Sequence, residues 1–581
     1  MKVINYNKRT INRNPMQYLS SVKKIVIPTP IVIIGILSLM ISGCSQPSDA
    51  KIDGVYFAQK HVMEPENEFF KLFSNLEALI KVHVVSPSQS QAPDLQAILK
   101  LNGKILTMQL SGPDKLPDSI PNGPGVIQHS YENTFTGFIP KEWVQPGLSI
   151  EIQAGDKTHL IDSLKVGAPS KIVMTMFDVH YFDYTPGDYP EGWQVELASK
   201  WPTAEMEVRR LPNIVFPELI IPARTPQGAD EIPATRVDSK EDYMVKTGYE
   251  FDGEQAAALA WKSALKAAGG INGRFSLYYV NIYGANAGGQ AWDFGGVGNG
   301  TSQGVLIHEL GHAFLLPHWG NDENYPYRGE MYGIPAPDNF KEIHAGPTWA
   351  FDLPGKAFIP PTVQENAVKP KRGKPNVVGT YKIDPMQGGG TGDQEEGYIF
   401  RHFSDYSIYK AQDYLEQHIV IWDEDLNSYV SWDDQTGAYT KTVTNNGVEY
   451  PIERDVDVIS VMAATSAVTS QATLVYPPIG SYSSGIIKTF DPSIEEDRLE
   501  AKKIFCEEGG CDLSLRVTQG GKVSVYMLRA SLDPEDKTLK TQAVNLKASD
   551  GDVTKIEFLS TPDAEVNGLP KNPVVIDVWE K

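Results

Sequence analysis

The sequence predicts a multidomain α+β protein with a strand-rich body at each end and a mixed body between them. Three observations carry that expectation. Short apolar runs separated by turn residues fill the region from about 52 to 165. Helix caps and helical periodicity enter between 166 and 450, and strand signals return from 451 onward.

The first body, within residues 44–165, begins with a tether and continues as a small β-sandwich. Its strands are read at Ile80 to Val85, Leu95 to Leu101, Ile105 to Leu110, Phe135 to Pro140 and Leu148 to Ala154. Turn chemistry at Asn102-Gly103 and Pro121-Asn122-Gly123 separates them. The middle body, 166–450, opens on the strand-like Lys171 to Phe177. An Ala-rich helix, Glu254 to Ala268, follows and is stopped by Gly269-Gly270. A strand, Phe275 to Tyr283, and a Gly-rich stretch then lead into a second apolar helix. Farther on, Ser404-Asp405 caps a helix that turns Ile408, Ala411, Leu415 and Ile419 inward. The last body, 451–581, is β-rich, with Leu513 to Thr518, Lys522 to Leu528 and Pro573 to Trp579 its clearest strands. The chain has no internal repeat.

The N-terminus reads as an export signal over residues 1–43. Lys23-Lys24 precede the apolar run Ile31 to Ile41, which is too short to span a bilayer and ends in Ser42-Gly43-Cys44. That ending resembles a bacterial lipobox, so Cys44 is expected to carry a lipid anchor and become the new N-terminus. Met16 is an alternative start to Met1, because a leader from Met16 has ordinary length. Ser45 follows Cys44 where an inner-membrane retention signal would have Asp, which favours the outer membrane or cell surface. The chain carries a net charge of −21, and the leader contributes six basic and no acidic residues, leaving the remainder near −27. Such a balance disfavours nucleic acid and anionic membranes as partners. Besides Cys44, only Cys506 and Cys511 occur. In an oxidising compartment that spacing favours a small-loop disulfide over a metal pair.

The most specific chemistry lies in His308-Glu309-Leu310-Gly311-His312-Ala313-Phe314-Leu315-Leu316-Pro317-His318. On a helix, His308 and His312 project from one face and can grip one metal ion. Glu309 lies beside them, placed to take a proton from an attacking water without ligating the metal. A straight helix would carry His318 about 15 Å from His308 along its axis. His318 therefore joins the pair only if the chain doubles back, and Pro317 favours such a break. The turn would pass through Leu315, where a left-handed conformation is costly for a residue with a β-carbon. Two arrangements stay open: a strained or differently shaped turn that delivers His318, or a later carboxylate, Glu323 or Glu330, as third ligand.

Gly284-Ala285-Asn286-Ala287-Gly288-Gly289 ahead of this helix, and Asp384-Pro385-Met386-Gln387-Gly388-Gly389 after it, resemble the secreted StcE/TagA-type zinc metallopeptidases, which include mucin-degrading enzymes. Phe216-Pro217-Glu218-Leu219, Phe403-Ser404-Asp405-Tyr406 and the region from Leu110-Ser111-Gly112-Pro113 to Ile139-Pro140 share that resemblance. It implies a metzincin-like zinc metallopeptidase domain after the β-sandwich. His308, His312 and His318 would hold one zinc ion per chain, Glu309 would be the general base, and Met386 would be a buried thioether beneath the metal. Leu315 departs from the Gly of that pattern. Gln387 after Met386 means that the Tyr some metzincins use to stabilise the oxyanion is not supplied there.

Trp292 and Trp319 flank the motif and are candidates for stacking on a substrate sugar ring. The function these features predict is a surface-anchored metalloendopeptidase acting on extracellular protein or glycoprotein substrates, mucin-type ones in particular. The alternative is a non-catalytic, adhesin-like glycoprotein-binding lipoprotein that keeps the fold. Glu309 favours the enzyme and Leu315 the binder.

Overall fold

The computed structural model describes residues 49–581 apart from 122, 124, 183–186, 227–229, 271–272, 285–287, 293, 338–341, 366, 368–376, 388–396, 443–452, 467–471, 507–509 and 534–535. The leader and Cys44 lie outside the described residues, as do Gly388 and Gly389.

Strand alternation builds the N-terminal sandwich. Leu95–Leu101 turns Leu95, Ala97, Leu99 and Leu101 inward while Gln96, Ile98 and Lys100 face out. It lies in a four-stranded sheet between Lys104–Leu110 and Ser149–Ala154, with Lys157–Ile161 beyond. Asn102 and Gly103 both take positive φ (49° and 76°), the backbone a tight two-residue hairpin requires. A second four-stranded sheet, built on Lys51–Ala58, Ala78–Val85 and Phe135–Ile139 with the short strand Val62–Met63, supplies Ile80, Val82 and Val84 to the same core.

A five-stranded sheet forms the middle of the molecule. Glu205–Phe216, Lys171–Tyr181, Phe275–Tyr283 and Gly295–Asn299 run parallel in that spatial order, and the short strand Gly289–Ala291 closes one edge antiparallel. Lys171–Tyr181 is buried from Ile172 to Tyr181, as expected of a strand covered on both faces. One face, through Met174, Met176, Leu277 and Tyr279, meets the helices Gln303–Ala313 and Asp405–His418. The other, through Phe177, Val179, Tyr278 and Val280, meets the helix Glu254–Gly269 at Ala257, Ala258, Trp261 and Leu265.

The C-terminal strands form two further sheets around Leu513, Leu515, Val517, Ile556 and Phe558. The expected boundary at 451 lies outside the described residues, and the strand just after it contributes to two cores. Strand Glu453–Thr465 sends Val461 and Ala463 into that C-terminal core, but Val458, Met462 and Ala464 into the core around Trp261. One strand thus serves two cores, because successive side chains face opposite ways. Phe73 of the N-terminal body likewise packs into the core beneath the HExxH helix. Residues from 48 to the C-terminus form one compact unit. A disulfide joins Cys506 to Cys511. Among the described residues no helix is long and apolar enough to cross a membrane.

Candidate metal centre

The helix Gln303–Ala313 buries Leu306, Ile307 and Leu310 and leaves His308 and His312 partly exposed. Its C-terminus decides the fate of His318. Leu315 adopts φ 58°, and its N–H donates to the His312 carbonyl at 2.9 Å. The Leu316 N–H donates to the Gly311 carbonyl at 3.2 Å. Those two bonds and the left-handed residue define a Schellman turn, a motif usually closed by glycine. The strained turn is therefore the one adopted, with Leu315 paying for it in backbone energy while its side chain stays 69% exposed.

The reversal brings three imidazoles together. Nε2 of His308 lies 2.9 Å from Nε2 of His318 and 3.1 Å from that of His312, and the third separation is 3.2 Å. Glu323 and Glu330 do not join this group, and Glu330 instead accepts from the Gly333 N–H at 2.9 Å. His308 donates through Nδ1 to the Pro385 carbonyl at 2.8 Å, and His312 through Nδ1 to the Leu316 carbonyl at 2.7 Å. With Nδ1 protonated, both rings aim an Nε2 lone pair at the same point. Burial holds the His308 ring down at about 4 and lowers His312 as well, so both rings are neutral at physiological pH. Four donors about 2.0–2.1 Å from a zinc ion stand about 3.3 Å apart, close to the spacings here. The donor set fits a cation, since otherwise three ring nitrogens crowd one another with no proton between two of them.

Glu309 is 6% exposed, and burial pushes its carboxyl up to about 7. It lies against the edge strand, where a β-carbon at Gly289 would stand 2.5 Å from Glu309 Cγ and 2.6 Å from Oε1. Glycine there lets the strand pass close against the carboxylate.

Beneath the imidazoles runs the 3₁₀ turn Pro385–Gln387. Met386 is fully buried, and a β-carbon at Gly311 would meet its Sδ at 2.2 Å. The glycine inside the motif therefore admits the thioether under the helix. The turn is held by Asp384, which the sequence reading did not single out as a site residue. Its Oδ1 accepts from the Met386 N–H, and its Oδ2 accepts from the Ser404 N–H and the Ser407 hydroxyl, each at 2.8 Å. Burial pushes this carboxyl up on balance, against the opposing pull of those donors. An Asp two residues ahead of a buried Met, in turn chemistry, was the available signal. Gln387 is also buried, its Nε2 donating to the Met386 carbonyl at 2.8 Å.

The two tryptophans part company. Trp319 is 1% exposed, stacks on Tyr325 at 4.9 Å and donates through Nε1 to Ser407 Oγ at 2.9 Å. It has no free face for a sugar, which corrects the expectation: the ring fills the core behind His318. Trp292 is 71% exposed, at the tip of the hairpin that carries the edge strand. The buried Lys262 ammonium donates to the Trp292 carbonyl and so pins that tip from below.

Beside the five-stranded sheet, three converging histidines that could hold a metal ion stand next to a buried glutamate. Residues 127–420 match the Peptidase M66 family. The chain belongs to that family and is a metallopeptidase. It is 28% identical to dictomallein of Burkholderia mallei (strain SAVP1), over 90% of this chain and 83% of that protein. It is 27% identical to dictomallein-2 of Dictyostelium discoideum, over 90% of this chain and 95% of that protein. A solved carbohydrate acetylesterase from Xanthomonas citri aligns at a TM-score of 0.11 and 10% identity, over 38% of this chain and 39% of that one, too slight a likeness to bear on the fold.

Proposed function

We propose that this chain is a zinc metalloendopeptidase of metzincin type, anchored at the cell surface and cleaving extracellular glycoproteins of mucin type. The observation that carries the reading is the triangle of Nε2 atoms, 2.9–3.2 Å on a side, next to the buried Glu309. His308, His312 and His318 hold the ion. Zinc bound there supplies Lewis-acid polarisation of the scissile carbonyl. Glu309 removes a proton from water as its oxygen bonds to the carbonyl carbon, then hands that proton to the amide nitrogen as the C–N bond breaks. Among the described residues Gly289–Ala291 pairs with Gly295–Asn299 alone, so its outer edge can take an extended peptide as an added strand beside Glu309. Exposed Trp292 at the end of that edge supports a glycan-bearing substrate, since a sugar ring stacks its C–H face on an indole.

Glu309→Gln keeps the ligands and removes the base. Cleavage of a mucin-type glycoprotein is expected to fall about 10²- to 10⁴-fold while zinc content and glycoprotein binding stay at the parental level. Equal product release from parent and variant, or none from a zinc-loaded parent, would overturn the enzyme in favour of a binder. A deglycosylated substrate run in parallel tests the glycan, and a chelator tests the ion.

Anchoring rests on Ser42-Gly43-Cys44. Cells fed a fatty-acid analogue are expected to label the protein in the membrane fraction, and Cys44→Ala to abolish the label. A soluble, unlabelled parental protein would refute the anchor.

A further inference from the structure

Asp384 is fully buried, and its carboxylate receives donors only. Two of them are backbone N–H groups, which cannot accept. The third, the Ser407 hydroxyl, already accepts from Trp319 Nε1 and the Ser404 hydroxyl, each at 2.9 Å, so its own proton points at Asp384. That pattern suits the ionised form.

The Met386 N–H that binds Asp384 Oδ1 belongs to the same peptide group as the Pro385 carbonyl that receives the His308 Nδ1–H. Carboxylate, peptide and imidazole thus form one chain, with both hydrogen bonds at 2.8 Å. A charge pulling on the N–H of an amide drives electron density toward its oxygen, and that oxygen then pulls harder on the next proton. His312 makes the matching Nδ1 bond to the Leu316 carbonyl. No carboxylate bond to the Leu316–Pro317 peptide is possible, because Pro317 has no N–H.

We propose that Asp384 is a positioning residue for the metal centre that acts through the Pro385–Met386 peptide, fixing the His308 tautomer and raising the electron-donating power of its Nε2. Ligating histidines commonly lean directly on a carboxylate or a carbonyl. Here one peptide group joins the two devices, and it does so for one ligand of the three. The inference rests on the metal site proposed above.

The test uses full-length protein labelled with ¹⁵N in histidine, loaded with zinc, and the variant Asp384→Asn. Asn keeps an acceptor for Met386 but loses the charge. The His308 Nδ1 proton is expected to resonate downfield of that of His312 in the parent and to move upfield in the variant, with His312 unmoved. Zinc affinity, read by competition with a chromophoric chelator, is expected to fall about 10- to 100-fold. If Asp384→Asn does not fold, Ser407→Ala replaces it. That variant withdraws one donor from the carboxylate, so the His308 proton is expected to move further downfield with zinc held at least as tightly. An unmoved His308 resonance in a folded variant, with parental zinc affinity, overturns the relay and leaves Asp384 a clip between the turn and the helix Asp405–His418. A parent that binds no zinc overturns the metal site itself.

Discussion

Leu315 shows how a single residue decides a site. Its left-handed backbone costs about 1–2 kcal/mol relative to glycine, and the same turn delivers His318 and aims the Leu316 carbonyl at His312. Leu315→Gly relieves that strain but frees the unfolded chain by about 0.5–1 kcal/mol. The net expectation is a gain of up to about 1.5 kcal/mol in the zinc-free protein, with activity equal to or above the parent's. Denaturant midpoints of the two zinc-free proteins check it, and a lower midpoint for the glycine variant would mean that the exposed leucine side chain contributes more than its backbone costs. The motif residues were legible because a metal demands particular side chains at helical spacing. Asp384 was not, because nothing local says which peptide its carboxylate will hold.

At the scale of elements, the helix Asp405–His418 follows its sequence signals on one side only. The Ser404 cap is present, with its hydroxyl accepting the Ser407 N–H at 3.1 Å, and Ile408, Ala411 and Leu415 are buried as their spacing predicts. The polar side of the same helix is where periodicity runs out. Glu416 is buried, yet it accepts from Lys71 Nζ at 2.7 Å, from the Ala168 N–H at 2.9 Å and from Gln412 Nε2 at 3.0 Å. It is one of the points, with the Gln412 Nε2 bond to the Leu72 carbonyl at 3.3 Å, where the N-terminal body is bonded to this helix. Glu416→Ala leaves the mostly buried Lys71 ammonium without its main counter-charge and strands the Ala168 N–H. The expected loss is on the order of 3 kcal/mol, seen as an earlier denaturant midpoint. A shift smaller than that of an exposed ion pair such as Lys100–Glu151 would refute a structural role for the contact.

For the molecule as a whole, the shared cores predict how the chain responds to being cut. Removing the sandwich deletes Phe73 from the core under the HExxH helix, together with the Lys60 Nζ bond to the Ser199 carbonyl (2.7 Å) and the His61 bond to the Phe403 carbonyl (2.9 Å). Removing residues after 450 strips Met462, Leu474 and Tyr476 from the core around Trp261. A fragment spanning 166–450 is therefore expected to lack a cooperative thermal transition, whereas the chain from 49 to 581 shows one. Circular dichroism melting distinguishes them, and a sharp transition in the fragment would mean that the middle body folds on its own.

What the sequence by itself determined was local. Strand Leu95–Leu101, strand Phe275–Tyr283, strand Lys522–Leu528 and the two long helices of the middle body follow from apolar periods of 2.0 and 3.6 and from their caps, which act within a few residues. So does the pairing of His308 with His312, one helical turn apart. Only the tertiary structure decided that His318 rather than Glu323 or Glu330 completes the group, that Trp319 is walled in while Trp292 stands free, and that one strand divides its faces between two cores. Each of those outcomes depends on which distant surface covers a side chain. Periodicity records that a face is apolar, but the partner that buries it is settled only when all the faces compete for the same interior.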